Sequence, residues 1–534
     1  MAHARTVDAP LSAEGGTKSG GNPWLTLLAV SLGVIMVMLD GTVVGIANPV
    51  IGRQLGASLS DLQWVTSGYL LALAVFLITA GKLGDLFGHK RVFLIGVAGF
   101  ALSSVGIGLS QQLADVFSFI SPIGALIALR VLQGLFGALL QPAALALLRG
   151  AFPGERLNQA MGAWGAIIGL SSAAGPIVGG LLVEKVSWES VFFINAPVGL
   201  VALIMGIVII KETRAATLAR IDWLGVVLLS GAMFALVWTI IKAPEWGWGD
   251  TKTLGFVAGF AVLIALFIVW QSKASQPLVP LSLFRNPSIS IGTVLMMMVA
   301  FAMFGAMFFL GFFFQGVHGL SPLNAGLRML PMSAGMIVAS PLAGMMIGKV
   351  GAKITMAVGL VITALSMFLM AQLTIDASFF ATGLPFLLLA FGLSPVFVGA
   401  TEIIVGNAPV ELSGVAGGVQ QSAMQVGGAL GTAILGAVMA GVISDKLPGY
   451  LGPAAQAIPA DKITLLEKVA AFGKAPDGLP AQIAPVISKA VHNSFMDGMH
   501  VAFLISTGIA LLTAVLALFV KAGRKSEGVQ VHVG

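Results

Sequence analysis

About 14 apolar segments, each near the roughly 20 residues a helix needs to cross a bilayer, follow one another along this chain. They are Trp24–Ile46, Trp64–Ala80, Val92–Leu109, Ile120–Leu147, Ala160–Val183, Val191–Ile210, Trp223–Ile241, Leu254–Trp270, Ile289–Phe314, Leu323–Ile347, Ile354–Leu373, Phe379–Val405, Val415–Ile443 and Met499–Val520. Hydrophobic residues are 57% of the 534 and charged ones 9%, against roughly 25% charged in a soluble domain. So much apolar surface cannot fit inside one core, and lipid has to solvate the outer faces. The expected class is an all-α integral membrane protein. Residues 1–23 are polar and Gly-rich, so the first span is expected to insert and stay rather than serve as a cleaved leader.

The basic residues orient the spans. With the N-terminus inside, the inner segments hold about 17 Lys and Arg against about four in the short outer loops. Lys82, Lys90, Arg91, Arg149, Arg156, Lys211, Arg214, Arg220, Lys349, Lys353, Arg524 and Lys525 all fall on that side. An even number of spans returns the C-terminus there too. The external loop 444–497 carries five lysines, but long loops translocate regardless of charge. Within it, 461–472 and 481–496 are expected to form short amphipathic helices of a small external hairpin or cap.

The chain also repeats itself. Gly81–Arg91 reads GKLGDLFGHKR, between the second and third spans, and Gly344–Lys353 reads GMMIGKVGAK, after the tenth. Gly81, Gly88 and Lys90 match Gly344, Gly351 and Lys353, while Asp85 is replaced by Gly348. Repeated halves place a binding site between them, near the midplane. Six spans precede the seventh and six follow the eighth, so spans seven and eight read as an inserted pair. Their outer turn carries Trp246 and Trp248, where interfacial tryptophans belong.

Several chemistries have no residues to support them. The chain has no cysteine, which excludes disulfides, thiol catalysis and cysteine-ligated metals. It has no GxxxxGK[ST] loop for ATP, and its six histidines form neither HExxH nor a close cluster. The net charge of +6 is dispersed through short loops, unlike a nucleic-acid surface. Neither an enzyme nor a resident cofactor or metal is expected.

Asp40, in VMLDGTVVGIANP, lies about 16 residues into the first span, roughly 24 Å at 1.5 Å per residue. An ionised carboxylate at that depth is costly unless paired or hydrated. It is read either as a proton-coupling or cation-binding group, the favoured reading, or as half of a fixed ion pair. Arg130, in ALRVLQGLFGALLQPA, lies at similar depth in the fourth span and is the obvious partner. Gln133 is one turn further on and is expected to share the network. Glu402, Asn407, Gln421 and Gln425 are candidates for a polar or cation-binding passage through the second half, with Gln421 and Gln425 on one helix face. Glu402 reads equally as a hydrated residue of an inner vestibule. In GLSSAAGPIVGG of the fifth span, Pro176 promotes a bend, and Gly175, Gly179 and Gly180 permit close helix packing.

Together LDGTVVGIANP, LQWVTSGYLLA, GKLGDLFGHKR, RVLQGLFGALLQPA, GPIVGG, FFINAPVGL and QQSAMQVGGALG resemble the 14-helix drug:proton antiporter branch of the major facilitator superfamily. The resemblance covers about Trp24 to Val520. It implies two six-helix bundles, 24–210 and 289–520, with an inserted pair in 211–288 and tails at 1–23 and 521–534. It also implies that Gly81, Asp85, Gly88, Lys90 and Arg91 form a conformational gate. Asp85 would dock on the start of helix 13, near Ser413–Gly417, where a helix dipole favours negative charge. GPIVGG resembles the exporter motif of that branch. Some exporters of multivalent cations carry an extra acid in helix 2, but this chain has Thr66 and Ser67 there.

The resemblance implies a proton-coupled antiporter, active as a monomer in a bacterial inner membrane with both termini cytoplasmic. It would export small amphipathic drugs or antibiotics by alternating access, driven by the proton gradient. Export of an envelope lipid or a peptide-like metabolite by the same fold is the alternative.

Overall fold

The computed structural model describes residues 22–117, 119–152, 156–213, 221–409, 412–452, 459–476 and 483–520. The predicted spans are realised as long helices. The first half holds α1 (Pro23–Leu55), α2 (Leu59–Phe87), α3 (His89–Gly108), the short α4 (Ser110–Val116), α5 (Pro122–Ala151) and α6 (Arg156–Lys185). A sixth crossing is made by α7 (Ser190–Phe193) and α8 (Asn195–Ile209) together. The inserted pair is α9 (Trp223–Trp246) and α10 (Thr251–Lys273). The second half holds α11 (Pro287–Phe312), α12 (Pro322–Arg328), α13 (Leu330–Val350), α14 (Ala352–Met370), α15 (Phe379–Gly406) and α16 (Ser413–Leu451). Last come α17 (Ala460–Ala470) and α18 (Ala484–Ala517).

Thirteen crossings are long and apolar enough to span a membrane among the described residues, and the 30-residue α6 makes the fourteenth. Fourteen crossings bring Asn22 and Val520 to one face, called here the termini face. The opposite one is the far face.

Helix ends follow local chemistry. Ser58 caps α2 and forms a reciprocal capping box with Asp61. Asn22, Ser121, Asn286 and Ser378 cap α1, α5, α11 and α15 with their side chains. Prolines inside the spans, such as Pro49, Pro142 and Pro176, are tolerated because neighbouring helices help satisfy the freed carbonyls.

The first bundle packs α1 on α6 and α8, and α5 on α2 and α3; the second packs α11 on α16, and α15 on α13 and α14. Three seams join the bundles: α1 with α11, α2 with α16, and α6 with α12 and α13. In their far-face halves the backbones approach closely. A Cβ on Gly311 would strike the Gly45 carbonyl, one on Gly326 the Pro176 carbonyl, and one on Gly180 the Pro322 backbone. Gln315 sits in a π-turn at the end of α11, and its amide donates to Ile46 O at 2.8 Å. Gln63 donates to Thr432 O at 3.0 Å, and Ser67 Oγ lies 2.9 Å from Thr432 Oγ1. Towards the termini face the α2–α16 seam continues through Ser422 Oγ, which donates to Ala74 O at 2.8 Å. In that half α13 buries only Ala339, Ala343 and Ile347, a single stripe, and Gly344 and Gly348 face open space.

The inserted pair lies over the α2–α16 seam. On the termini face Asp222 caps α9 and accepts from Gly225 N (2.8 Å), Trp270 Nε1 (2.7 Å), Gln271 Nε2 (2.7 Å) and Leu278 N (3.1 Å). Burial would raise this carboxyl's pKa, but the four donors together hold it below its usual range. Lys82 of α2 donates to Pro277 O at 3.1 Å. Near the far face Trp64 of α2 packs against Phe234 and Trp238 of α9. Lipid faces α10, of which 11% of the apolar window is buried, against 72% for the central crossing Pro287–Val317.

The region 444–497 departs from expectation. A helix does form at Ala460–Ala470, but α16 runs on to Leu451, and the stretch expected as a second short helix is the start of α18 from Ala484 onward. Residues 481–482 lie outside the described residues. Ile487, Ala490, Val491, Ser494 and Phe495 form one buried stripe at helical spacing, so α18 needs no break there, and its polar residues take the other side. Just after Ala470, Phe472 wedges the far face. It fills the space beside Gly52 of α1 and meets Phe312 of α11 edge-on at 5.6 Å.

The chain's lack of cysteine makes the far-face seam directly testable. The Gln63 side chain lies against Gly436. The pair Gln63→Cys/Gly436→Cys is expected to form an intramolecular disulfide in membranes under mild oxidant, read by mass spectrometry, and to abolish turnover until reduced.

Candidate functional site

The deepest charges meet as a pair. Arg130 of α5 and Asp40 of α1 are 1% and 2% exposed, and Arg130 Nη1 lies 2.5 Å from Asp40 Oδ2. The second carboxylate oxygen accepts from Gln133 Nε2 at 2.9 Å, and Gln133 Oε1 accepts from Arg130 Nη1. Arg130 Nε donates to Val65 O of α2 at 3.0 Å, and the guanidinium stacks 4.0 Å from the Tyr69 ring centroid. Gln133 Nε2 also donates to Ser104 Oγ of α3 at 2.7 Å, and Asn195 Nδ2 of α8 reaches the same hydroxyl at 3.2 Å. One polar cluster thus ties α1, α2, α3, α5 and α8. Each charge compensates the other, as the interior requires. Asp40, Arg130 and Gln133 come together as the sequence predicts. Ser104, Asn195 and Tyr69 join them without having stood out.

A cavity of about 20 Å³, room for about one water, lies beside the pair on the α1–α11 seam. Thr42, Thr66, Tyr69 and Arg130 line it from the first bundle, and Phe304, Met307 and Phe308 from the second. The glycine motif of α6 packs directly behind. A Cβ on Gly175 would overlap Thr42, and one on Gly179 would press on Val43. Gly180 and Pro176 serve the other seam, against α12. The motif therefore lets α6 touch the helix that carries Asp40 and the opposite bundle at once.

The Gly81–Arg91 turn is completed by a residue from outside it, Glu212. Gly88 turns with φ +99°, a conformation glycine adopts without penalty. Glu212, not singled out in the sequence, occupies the space its side chain would need. The Glu212 carboxylate accepts from Lys90 N at 2.9 Å and Thr213 N at 3.1 Å, and lies 3.9 Å from Arg91 Nε. Lys90 Nζ donates to Ile207 O at 2.8 Å. Gly81 faces Pro142 of α5 at ordinary contact distance. Asp85 was expected at the first turn of α16. Its Oδ1 lies 3.4 Å from His89 Nε2, one turn along. Residues 410–411, which lead into the expected dock, and the side chains of residues 413 and 414 within it lie outside the described residues.

The second-half candidates do not form one cluster. Glu402 is exposed near the end of α15, and Asn407 turns back onto Ile403 O of its own helix at 2.8 Å. Gln425 is buried on α16 with its Oε1 unpartnered, Gln421 is half-buried, and Gln420 reaches Met296 Sδ at 3.7 Å. No group of three or more His, Cys, Asp or Glu suited to a metal occurs among the described residues.

Two bundles, an inserted pair and a buried charge pair at the seam define a polytopic membrane transporter of the alternating-access type. The chain belongs to the Major Facilitator Superfamily, whose family model matches residues 30–432. It is 50% identical over 528 residues to the tetracenomycin C resistance and export protein of Streptomyces glaucescens, covering 98% of this chain and 96% of that protein. It is 34% identical over 459 residues to the drug efflux pump JefA of Mycobacterium tuberculosis (82% and 86% covered). It is 29% identical over 526 residues to the multidrug transporter protein MdtP of Bacillus subtilis (95% and 94%). Among solved structures, the fold is similar to an inward-facing bacterial homolog of the human lysosomal transporter Spinster. The TM-score is 0.60 at 15% identity, covering 93% of this chain and 98% of that one.

Breaking a buried pair from one side costs about 3–5 kcal/mol, because a charge is left uncompensated. Arg130→Ala is therefore expected to lower the thermal midpoint of the purified protein sharply. The double variant Asp40→Asn/Arg130→Gln, which removes both charges, is expected to recover a large part of that loss in the same measurement.

Proposed function

We propose that this chain is a proton-coupled antiporter that exports amphipathic drugs or antibiotics from the cytoplasm, with the termini face inside. The observation that carries this reading is the buried Asp40–Arg130 pair on the seam between the bundles. Arg130 lines a water-sized cavity on that seam, and Asp40 sits on α1, the helix that meets α11 of the opposite bundle. The named activities of the relatives, tetracenomycin C export, drug efflux and multidrug transport, support it. So does the excess of Lys and Arg on the termini face.

In this cycle the closed far-face seams and the loosely held termini half of α13 belong to the inward-open state. Substrate binds from inside with Asp40 ionised and held by Arg130 and Gln133. Opening outward parts the α1–α11 and α6–α12 seams and gives the pair access to external water. A proton then transfers to Asp40, weakening its hold on Arg130 and favouring release and return. Arg130 stays charged throughout, so it holds the ionised carboxylate in one state and is freed in the other. The Gly81–Arg91 turn would close the inner side in the outward-open state, with Asp85 moving from His89 to the start of α16. Protons and a small amphipathic substrate are its partners, and one chain suffices.

Asp40→Asn in inverted membrane vesicles tests the reading. Substrate-driven proton exchange is expected to fall to background, roughly 100-fold or more, whereas exchange of labelled substrate down its own gradient persists. Proton exchange at wild-type rate in that variant would remove Asp40 from the coupling role.

A further inference from the structure

Away from the seam, a second cavity opens at the far-face end of the second bundle. It is about 550 Å³, within the size range of small-molecule sites, and shares no residue with the cavity beside Arg130. It lies where α18 packs on α14 and α16. Its wall changes character along α18. Leu504, exposed on the apolar surface, lines the inner end, and Asp497, two turns nearer the far face, lines the outer one. Seven residues at 1.5 Å each separate them by about 10 Å. The segment just after α14 closes one side, and Tyr450, at the end of α16, closes the other. The outer end is rich in acceptors. Asp497 Oδ2 accepts from Tyr450 Oη at 2.7 Å, which uses the phenol's one proton, while Asp497 Oδ1 makes no hydrogen bond among the described residues. His500 Nε2 donates to Leu373 O at 2.7 Å, which leaves Nδ1 as an acceptor in the neutral ring. No Lys or Arg lines the cavity, and no cation pairs with Asp497 among the described residues.

We propose that this cavity is a peripheral binding site for amphiphiles carrying a primary ammonium, separate from the transport path. The ammonium donates to Asp497 Oδ1 and supplies the counter-charge that the protein does not, while the apolar body lies along Leu504. A primary ammonium has three donors to set against the carboxylate, the phenol oxygen and the imidazole, whereas a quaternary one has none. The amine comes either from the headgroup of an aminolipid in the surrounding leaflet or from a soluble amphipathic amine. Both present the same group at the same depth. Because the walls come from α14, α16 and α18, an occupant braces the far-face ends of three helices of the second bundle. Asp497, already held by Tyr450, is the link between two of them.

The test uses the purified full chain in maltoside micelles, with two arms. Native mass spectrometry compares phosphatidylethanolamine with phosphatidylglycerol of the same acyl chains. Scintillation proximity follows labelled phenethylamine and its displacement by the unlabelled amine or by its N-trimethyl derivative. The wild type is expected to prefer the primary ammonium by about 10-fold in at least one arm, the scale of one charge-assisted hydrogen bond. Asp497→Asn, which keeps an acceptor for Tyr450, is expected to abolish that preference. Leu504→Trp, which fills the apolar end, is expected to weaken binding about 10-fold and serves if the first variant does not fold. A preference for phosphatidylethanolamine identifies a lipid as the occupant, and a preference confined to phenethylamine identifies a soluble amine. No preference in either arm, or a preference unchanged in both variants, overturns the proposal. So does amine binding that is lost in Asp40→Asn but kept in Asp497→Asn, which would put the amine on the transport path.

Discussion

The contact between Asp40 and Arg130 is the constraint around which the first bundle is organised. Neither charge survives alone at that depth, so α1 and α5 must keep the two within hydrogen-bond reach. Gln133, Ser104, Asn195 and the Val65 carbonyl hold the remaining donors and acceptors, which fixes α2, α3 and α8 as well. The same α1 segment also faces the opposite bundle, through the cavity and through Gly45 against Gly311. The pair is therefore tied through α1 to the surface between the bundles.

That surface suits two-state behaviour. Its far-face half is held by backbone approaches at Gly45, Gly180, Gly311 and Gly326, with few cross-seam hydrogen bonds, such as those of Gln315 and Gln63. In lipid, close packing of small residues is the main drive for helix association, and it can be exchanged for contacts on the other face at little net cost. Phe472 adds an aromatic wedge at one end, and the inserted pair, clipped through Asp222, covers the α2–α16 line.

Much of this was legible in the sequence. Spans announced themselves by length and hydropathy, and Asp40 and Arg130 by being charged at equal depth. Gln133 followed from helical spacing. The missing members carried no such mark. Ser104 and Asn195 are single uncharged polar residues in apolar spans, and Glu212 lies in a polar linker, distant in sequence from the turn it completes. The region after Ile443 was misread because Lys, His and Asn on one side of α18 lowered its apparent hydrophobicity, while its buried stripe continued unbroken. Asp85 was assigned a partner by resemblance. Among the described residues its carboxylate lies 3.4 Å from His89, four residues away.

Infrared difference spectroscopy of the reconstituted protein, with and without substrate across a pH titration, tests the central claim most directly. The account predicts a protonated-carboxyl stretch that appears on acidification, diminishes when substrate binds and is missing in Asp40→Asn. A band unaffected by substrate, or one that persists in Asp40→Asn, would contradict it.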